Sequence, residues 1–381
     1  MALPERSGRT AMRLSALVSE AGLDLARGVA RAVWCALALG LVLVALVVVD
    51  GSAARRVIDQ AHDFQARGAA TLVLSLPGGI DGRLCDALAR QPGVRAAGAV
   101  RVEADPLMLA PLPDSPLTWY SVSPGFAWLL PGSTGFDQAG LLVSREVAQR
   151  FGLTVGRRLD FVQPAASGSV PGGAAAGATR LAGLYDYPQD GRSPGFGYAV
   201  LALAPAAEPF DQCWLDQYPV VPATSDLLYS VILPDADTQT NPPQVQQHNG
   251  SLGAPQDPAA AWRRRPTAAA WWAAGLAGAV IGAVSIVARR LELASNAHAG
   301  QSRPDRLAQI GLETAAWALT AAAVGAGAVA WVSAGLDPAD RPAVARALAA
   351  IVWSGAAGAV AGALAALQNP GCSWRLATAR R

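Results

Sequence analysis

Lysine is missing from this chain: all 30 of its basic residues are arginine. A P-loop needs the lysine of G-x-x-x-x-G-K-[ST] to reach the β- and γ-phosphates, and a protein kinase needs its strand lysine. Neither kind of nucleotide-hydrolysing centre can be built here. Charge is also scarce. Charged residues make up 15% and hydrophobic ones 52%, where soluble domains carry roughly 25% charge. A shortfall of this size means that much of the chain faces lipid. The net charge of +2 gives no support to nucleic-acid binding, which shows a basic patch or stripe. Histidine is rare. His62, His248 and His298 are far apart and lack metal-ligand spacing. No G-x-S-x-G elbow, H-E-x-x-H or paired-cysteine zinc motif occurs. Asp186, Asp190 and Asp211 read as solvated loop acids. No catalytic residue, metal or cofactor is therefore expected, and the chain is not expected to be an enzyme.

What is present is long uncharged sequence. A spanning helix needs about 20 mostly apolar residues. Four stretches qualify: Ala32–Val49, Thr267–Ala288, Thr314–Leu336 and Ala347–Leu367. The last two are mostly Ala and Gly, so buried soluble helices are the competing reading. Tryptophan argues for the membrane. Trp34, Trp271, Trp272, Trp317, Trp331, Trp353 and Trp374 all sit near segment ends, and indole rings prefer the headgroup layer. About 31 residues precede the first span, too many for the n-region of a cleaved signal, so it reads as a retained anchor.

Arginine sets the orientation. Residues 1–31, the loop 289–313 and the tail 368–381 carry most of it near spans and fall on one side, the cytoplasm. Residues 50–266 and the short loop 337–346 fall outside. Arg263, Arg264 and Arg265 conflict with this, being basic residues just outside the second span. Before the first span, Leu14, Leu17, Val18, Ala21, Leu25 and Val29 recur at helical spacing. They read as an amphipathic helix on the inner surface or as a cytoplasmic extension of the span.

Residues 50–266 have a different texture. Short apolar runs bounded by turn residues predict strands at Thr71–Leu76, Leu141–Val143, Leu159–Val162, Arg180–Leu184, Tyr198–Leu203 and Leu227–Leu233. Helices are predicted at Asp81–Gln91 and Ser144–Phe151, each opened by an N-cap residue. Pro164–Thr179 reads as a hairpin tip, and Pro234–Ala259 as a flexible linker. The fold class is thus an α-helical membrane protein of four transmembrane helices, with an α+β extracytoplasmic domain between helices 1 and 2. Cys85 and Cys213 both fall in that domain and form either a disulfide or two buried thiols. In the second span Gly278 and Gly282 make a G-x-x-x-G; in the fourth, Ser354, Gly358 and Gly362 make a small-residue row. Such rows let helix backbones approach closely, although Gly and Ala are abundant here. No span holds an internal ionisable residue, which disfavours an ion-coupled carrier.

The stretch after the second span reads Ala288-Arg-Arg-Leu-Glu-Leu-Ala-Ser-Asn-Ala-His-Ala-Gly-Gln-Ser-Arg303, and Glu313 leads into the third span. It resembles the R-R-x-E…G-x-[ST]-R signature of the FtsX-like and MacB-like permease family, the membrane subunits of type VII ABC transporters and mechanotransmitters. Arg289, Arg290, Glu292, Gly300, Ser302, Arg303 and Glu313 match positions of that pattern. Residues Gly140–Gly156 also resemble part of the MacB-type periplasmic core domain. Pro304 directly after the Gly-Gln-Ser-Arg turn departs from the pattern, as does the polar, proline-rich segment before the second span.

The resemblance implies several partners: a separate ABC ATPase subunit, a second permease subunit (a second copy or a paralogue), the lipid bilayer and an outer protein. It also implies a multi-pass protein of a bacterial inner or plasma membrane, with both termini cytoplasmic. The function implied is transmission of ATP-driven movement to the outer domain for export or extraction of a substrate. A mechanotransmitter that regulates a cell-wall hydrolase and an anchored sensor without an ATPase are the alternatives.

Overall fold

The computed structural model describes residues 29–109, 112–134, 140–162, 178–255, 257–290, 293 and 303–368. The chain divides into a helical unit, Met1–Ile58 with Trp262–Arg381, and a sheet unit, Asp59–Ala261. The amphipathic N-terminal segment, the 164–177 loop and Cys372 lie outside the described residues.

The helical unit is built from α1 (Val29–Ala66), α6 (Ala270–Ala288), α7 (Arg303–Ala334) and α8 (Arg341–Gln368). All four are long and apolar enough to cross a membrane. Each is longer than its apolar run or close to it. The greatest difference is in α1, which continues well past Val49 and contributes its last turns to the sheet unit. Good helix formers in Ala53–Ala66 carry it onward although the apolar run has ended. The core of the unit is Leu39, Leu43 and Val47 of α1, Ala274 of α6, Ala318 and Ala321 of α7, and Leu348, Ile351 and Val352 of α8.

The opposite faces are equally apolar. Leu41 is 74% exposed, Leu276 66%, Val280 62% and Trp331 73%. A soluble monomer rarely shows apolar surface on this scale, whereas hydrocarbon accepts it. Trp34, Trp272, Trp331 and Trp353 face outward. Trp317 does not: it packs into the bundle core among alanines, where its size fills space that small residues leave.

The sheet unit holds one ten-stranded mixed sheet. Its strands are β1 (Thr71–Asp81), β2 (Val94–Val102), β3 (Leu107–Leu109), β4 (Leu112–Val122), β5 (Leu141–Ser144), β6 (Arg158–Val162), β7 (Ala178–Tyr185), β8 (Ala199–Leu203), β9 (Pro209–Gln217) and β10 (Gln244–Gln247). Spatial order is β10-β1-β9-β2-β4-β3-β6-β7-β5-β8, and β8 returns to pair in parallel with β4. The last six strands therefore close into a ring. Every strand of the ring feeds one apolar cluster, including Leu107, Leu117, Leu141, Leu159, Leu181 and Val200. Helices α2 (Gly82–Ala87), α3 (Arg145–Phe151), α4 (Pro222–Tyr229) and α5 (Pro258–Arg263) complete the described elements, with short 3-10 turns.

The local signals work as physics expects. Asp81 accepts from the backbone N–H groups of Arg83 and Leu84, and Ser144 from that of Val147, so both helix starts are capped by side chains. Gly152 closes α3 in the left-handed conformation. A 3-10 segment, Pro124–Leu129, lies on β2, where a Cβ at Gly98 would sit 2.2 Å from the Phe126 nitrogen.

Three expectations are corrected. Leu227–Leu233 is no strand: Thr224 and Pro222 start a helix that runs to Tyr229, and only Ile232 makes a β-bridge, to Ile80. Pro234–Ala259 is no loose linker, because β10 pairs with β1 and His248 and Asn249 are buried. Asp211 is a strand residue that accepts from the N–H groups of Gly78 and Val102 at 2.8 Å each, not a solvated loop acid.

Candidate coupling site

Arg289 ends α6. Its backbone leaves helical geometry there, and its N–H returns to the Ile286 carbonyl at 3.0 Å. A cation at a helix C-terminus is favoured by the partial negative charge of the unpaired carbonyls. Glu313 lies three turns into α7, with its side chain only 8% exposed. The two meet: Arg289 Nη1 donates to Glu313 Oε2 at 2.5 Å. Gln309, one turn earlier on α7, donates to the other carboxylate oxygen at 3.3 Å. A buried carboxylate is costly unless paired and hydrogen-bonded, and here both oxygens have donors. Beside the pair, Ile286, Ile310 and Ala363 form a small apolar cluster that also takes in Leu293.

Two of the seven motif residues, 24 positions apart, are thus brought together. Arg290 and Arg303 are exposed at the same ends of α6 and α7. Glu292, Gly300 and Ser302 lie outside the described residues. The Arg289–Glu313 pair clips the end of α6 to the third turn of α7 through side chains.

The packing rows also meet each other. A Cβ at Gly278 would lie 2.1 Å from the Gly355 oxygen, and at Gly282 2.0 Å from the Ala359 oxygen. Reciprocally, a Cβ at Gly358 would lie 2.1 Å from the Gly275 oxygen, and at Gly362 2.0 Å from the Ala279 oxygen. Ser354 Oγ donates to the Trp271 carbonyl at 2.7 Å. Helices α6 and α8 therefore touch backbone to backbone within one chain.

A third contact was missed by sequence reasoning. Asp50, 1% exposed in the middle of α1, takes two bonds from Arg265, at 2.8 and 3.1 Å, and one from the Thr267 hydroxyl. Arg265 also lies over the Trp262 ring, 4.3 Å from its centroid. The available signal was Arg265 itself, a cation on the side that the arginine bias disfavours.

In the sheet unit Cys85 and Cys213 are bonded to each other, both fully buried, and tie α2 to β9. His248 is packed against Trp214, its Nε2 faces the Tyr187 hydroxyl at 3.3 Å, and its Nδ1 has no partner among the described residues. Burial, reinforced by the nearby Arg192 guanidinium, pushes its pKa down to about 4. Arg192 in turn reaches the Ala66 carbonyl at 2.6 Å, and Asn249 the Arg67 carbonyl at 2.9 Å. The last turn of α1 is so fastened inside the sheet unit.

No protein-family model and no curated protein matches the sequence. Among solved structures, the periplasmic region of MacB from Actinobacillus actinomycetemcomitans aligns at a TM-score of 0.33 and 7% identity, covering 50% of this chain and 94% of that one. The extracellular domain of the noncanonic ABC-type transporter YknZ from Gram-positive bacteria aligns at 0.29 and 12%, covering 47% and 100%. Scores this low leave the assignment to the chain's own residues.

Proposed function

We propose that the chain is the membrane subunit of an ABC transporter, coupled to a separate ATPase subunit through the loop between α6 and α7. The observation that carries this reading is the Arg289–Glu313 clip, which joins both ends of the family-like motif. The absence of lysine, which a P-loop needs, is consistent with nucleotide hydrolysis by a partner chain. The buried disulfide fits an oxidising compartment for the sheet unit and so supports a cytoplasmic coupling loop and cytoplasmic termini. Movement of the clipped helices would reach the outer face as a rigid-body shift, the kind of change that packed helices transmit. A second permease subunit pairs with this one in the bilayer. The sheet unit does the outer work, on a substrate or a partner protein.

Photo-cross-linking tests the coupling. A benzophenone amino acid replacing Leu293 should yield an adduct one ABC ATPase subunit heavier, while the same group at Trp331, at the far end of α7, should not. Adducts from Trp331 alone would refute the reading.

A further inference from the structure

We propose that the outer ends of the spans form an arginine rim that binds the headgroups of anionic phospholipids. This rests on the membrane reading above. Residues 50–58, 262–267 and 335–346 carry seven arginines and three aspartates, an excess of four positive charges. Counting Asp59, the next acid on α1, still leaves three. These segments share one end of the bundle. Arg55 Nη2 donates to the Val332 carbonyl at 3.1 Å, and Arg341 Nε to the Leu336 carbonyl at 2.7 Å. Arg265 is paired with Asp50 at the same end.

Those three arginines have structural duties. Arg346 Nε donates to the Pro342 carbonyl at 3.1 Å, one turn back on its own helix. Arg56, Arg263, Arg264 and Arg346 are exposed. Arg56 and Arg264 have no hydrogen bond or ion pair among the described residues. Their depth suits a headgroup. Arg56 lies seven residues beyond Val49, about 10 Å along the helix. The polar layer is roughly 5–8 Å thick on each side of the hydrocarbon, and an arginine side chain can reach back along its stem. Arg346 directly precedes the apolar run of α8.

The charge balance selects the lipid. A zwitterionic headgroup brings its own cation into a field that is already positive. An anionic one does not, and a guanidinium fork matches a phosphate with two parallel bonds. Each basic residue near an anionic lipid surface is worth roughly fivefold in partition.

The test is native mass spectrometry of the full chain in mild detergent. Phosphatidylglycerol is titrated against phosphatidylcholine of the same acyl chains. The proposal expects phosphatidylglycerol to bind about tenfold tighter. It expects the R56Q/R264Q/R346Q variant to lose most of that preference, and the R375Q/R380Q/R381Q variant, altered in the cytoplasmic tail, to keep it. Equal binding of the two lipids would overturn the proposal, as would a preference that survives in the rim variant or disappears in the tail variant. Displacement of the lipid by excess inorganic phosphate would assign the rim to a soluble anion and overturn it too. Should the triple variant unfold, R264Q alone is read in its place. No ATPase is present in this measurement, so the rim and the permease reading fail separately.

Discussion

His248 shows how a single residue can set a pH limit. In the folded sheet unit its imidazole is neutral, with burial the chief cause and Arg192 the second; Asp190 opposes them weakly. Tyr187 and Trp214 complete its surroundings. Above the ordinary histidine pKa of about 6.5 both folded and unfolded forms are neutral, and the residue contributes nothing to pH dependence. As pH falls from there to about 4, the unfolded chain takes up the proton first, so folding is penalised by up to about 3 kcal/mol. The urea midpoint of the sheet-unit transition should therefore fall between pH 7 and 4.5 more steeply in the wild type than in His248→Phe. Parallel pH profiles for the two proteins would show that the imidazole is not held neutral.

Asp50 and Arg265 make a related point. They are 215 positions apart, and each looks like an ordinary flanking charge. Only the fold brings them together. The arginine that conflicted with the inside-positive pattern is placed by a buried carboxylate, and removing either partner would leave the other charge buried and unmatched.

At the scale of elements, the α6–α8 contact is the most demanding. Gly358→Ile puts a branched side chain where even a Cβ would stand 2.1 Å from the Gly275 oxygen. Over-packing of this sort costs about 1–3 kcal/mol and more where backbone must move. The control is Gly327→Ala on α7, where nothing lies within 4 Å and alanine favours the helix. Thermal unfolding in detergent should show a clear drop for the first variant and none for the second. Equal midpoints would mean that α6 and α8 are not in backbone contact.

The same scale shows what the sequence could and could not convey. The four long apolar helices were legible because about 20 uncharged residues in a row admit few other fates. The caps Asp81 and Ser144 were legible because a side-chain oxygen before an apolar run has a local use. Several strands were not. Val94–Val102 is rich in alanine and glycine because the Pro124–Leu129 turn lies on it, which removes the usual β-branched signal. Leu112–Val122 contains two prolines, and Gln244–Gln247 is polar and held chiefly by backbone bonds at a sheet edge. Leu227–Leu233 has the apolar density of a strand, but Pro222 and Thr224 set a helix first. In the coupling site Arg289 and Glu313 could be picked out as motif members. Their contact could not, since the two residues are 24 positions apart and meet only in the fold.

At the scale of the whole molecule, a lysine-free chain carries four helices long and apolar enough to cross a membrane, an Arg289–Glu313 clip between α6 and α7, and a sheet unit that takes in the last turns of α1. In the function proposed above, ATP hydrolysis belongs to a separate subunit. The direct test is affinity purification of the tagged full chain in mild detergent, followed by quantitative mass spectrometry of the proteins that come with it. An ABC ATPase subunit is expected at near-equal amount, and is expected to be lost when Glu313→Arg sets two arginines against each other at the root of the loop. A well-folded chain that brings no ATPase would contradict it.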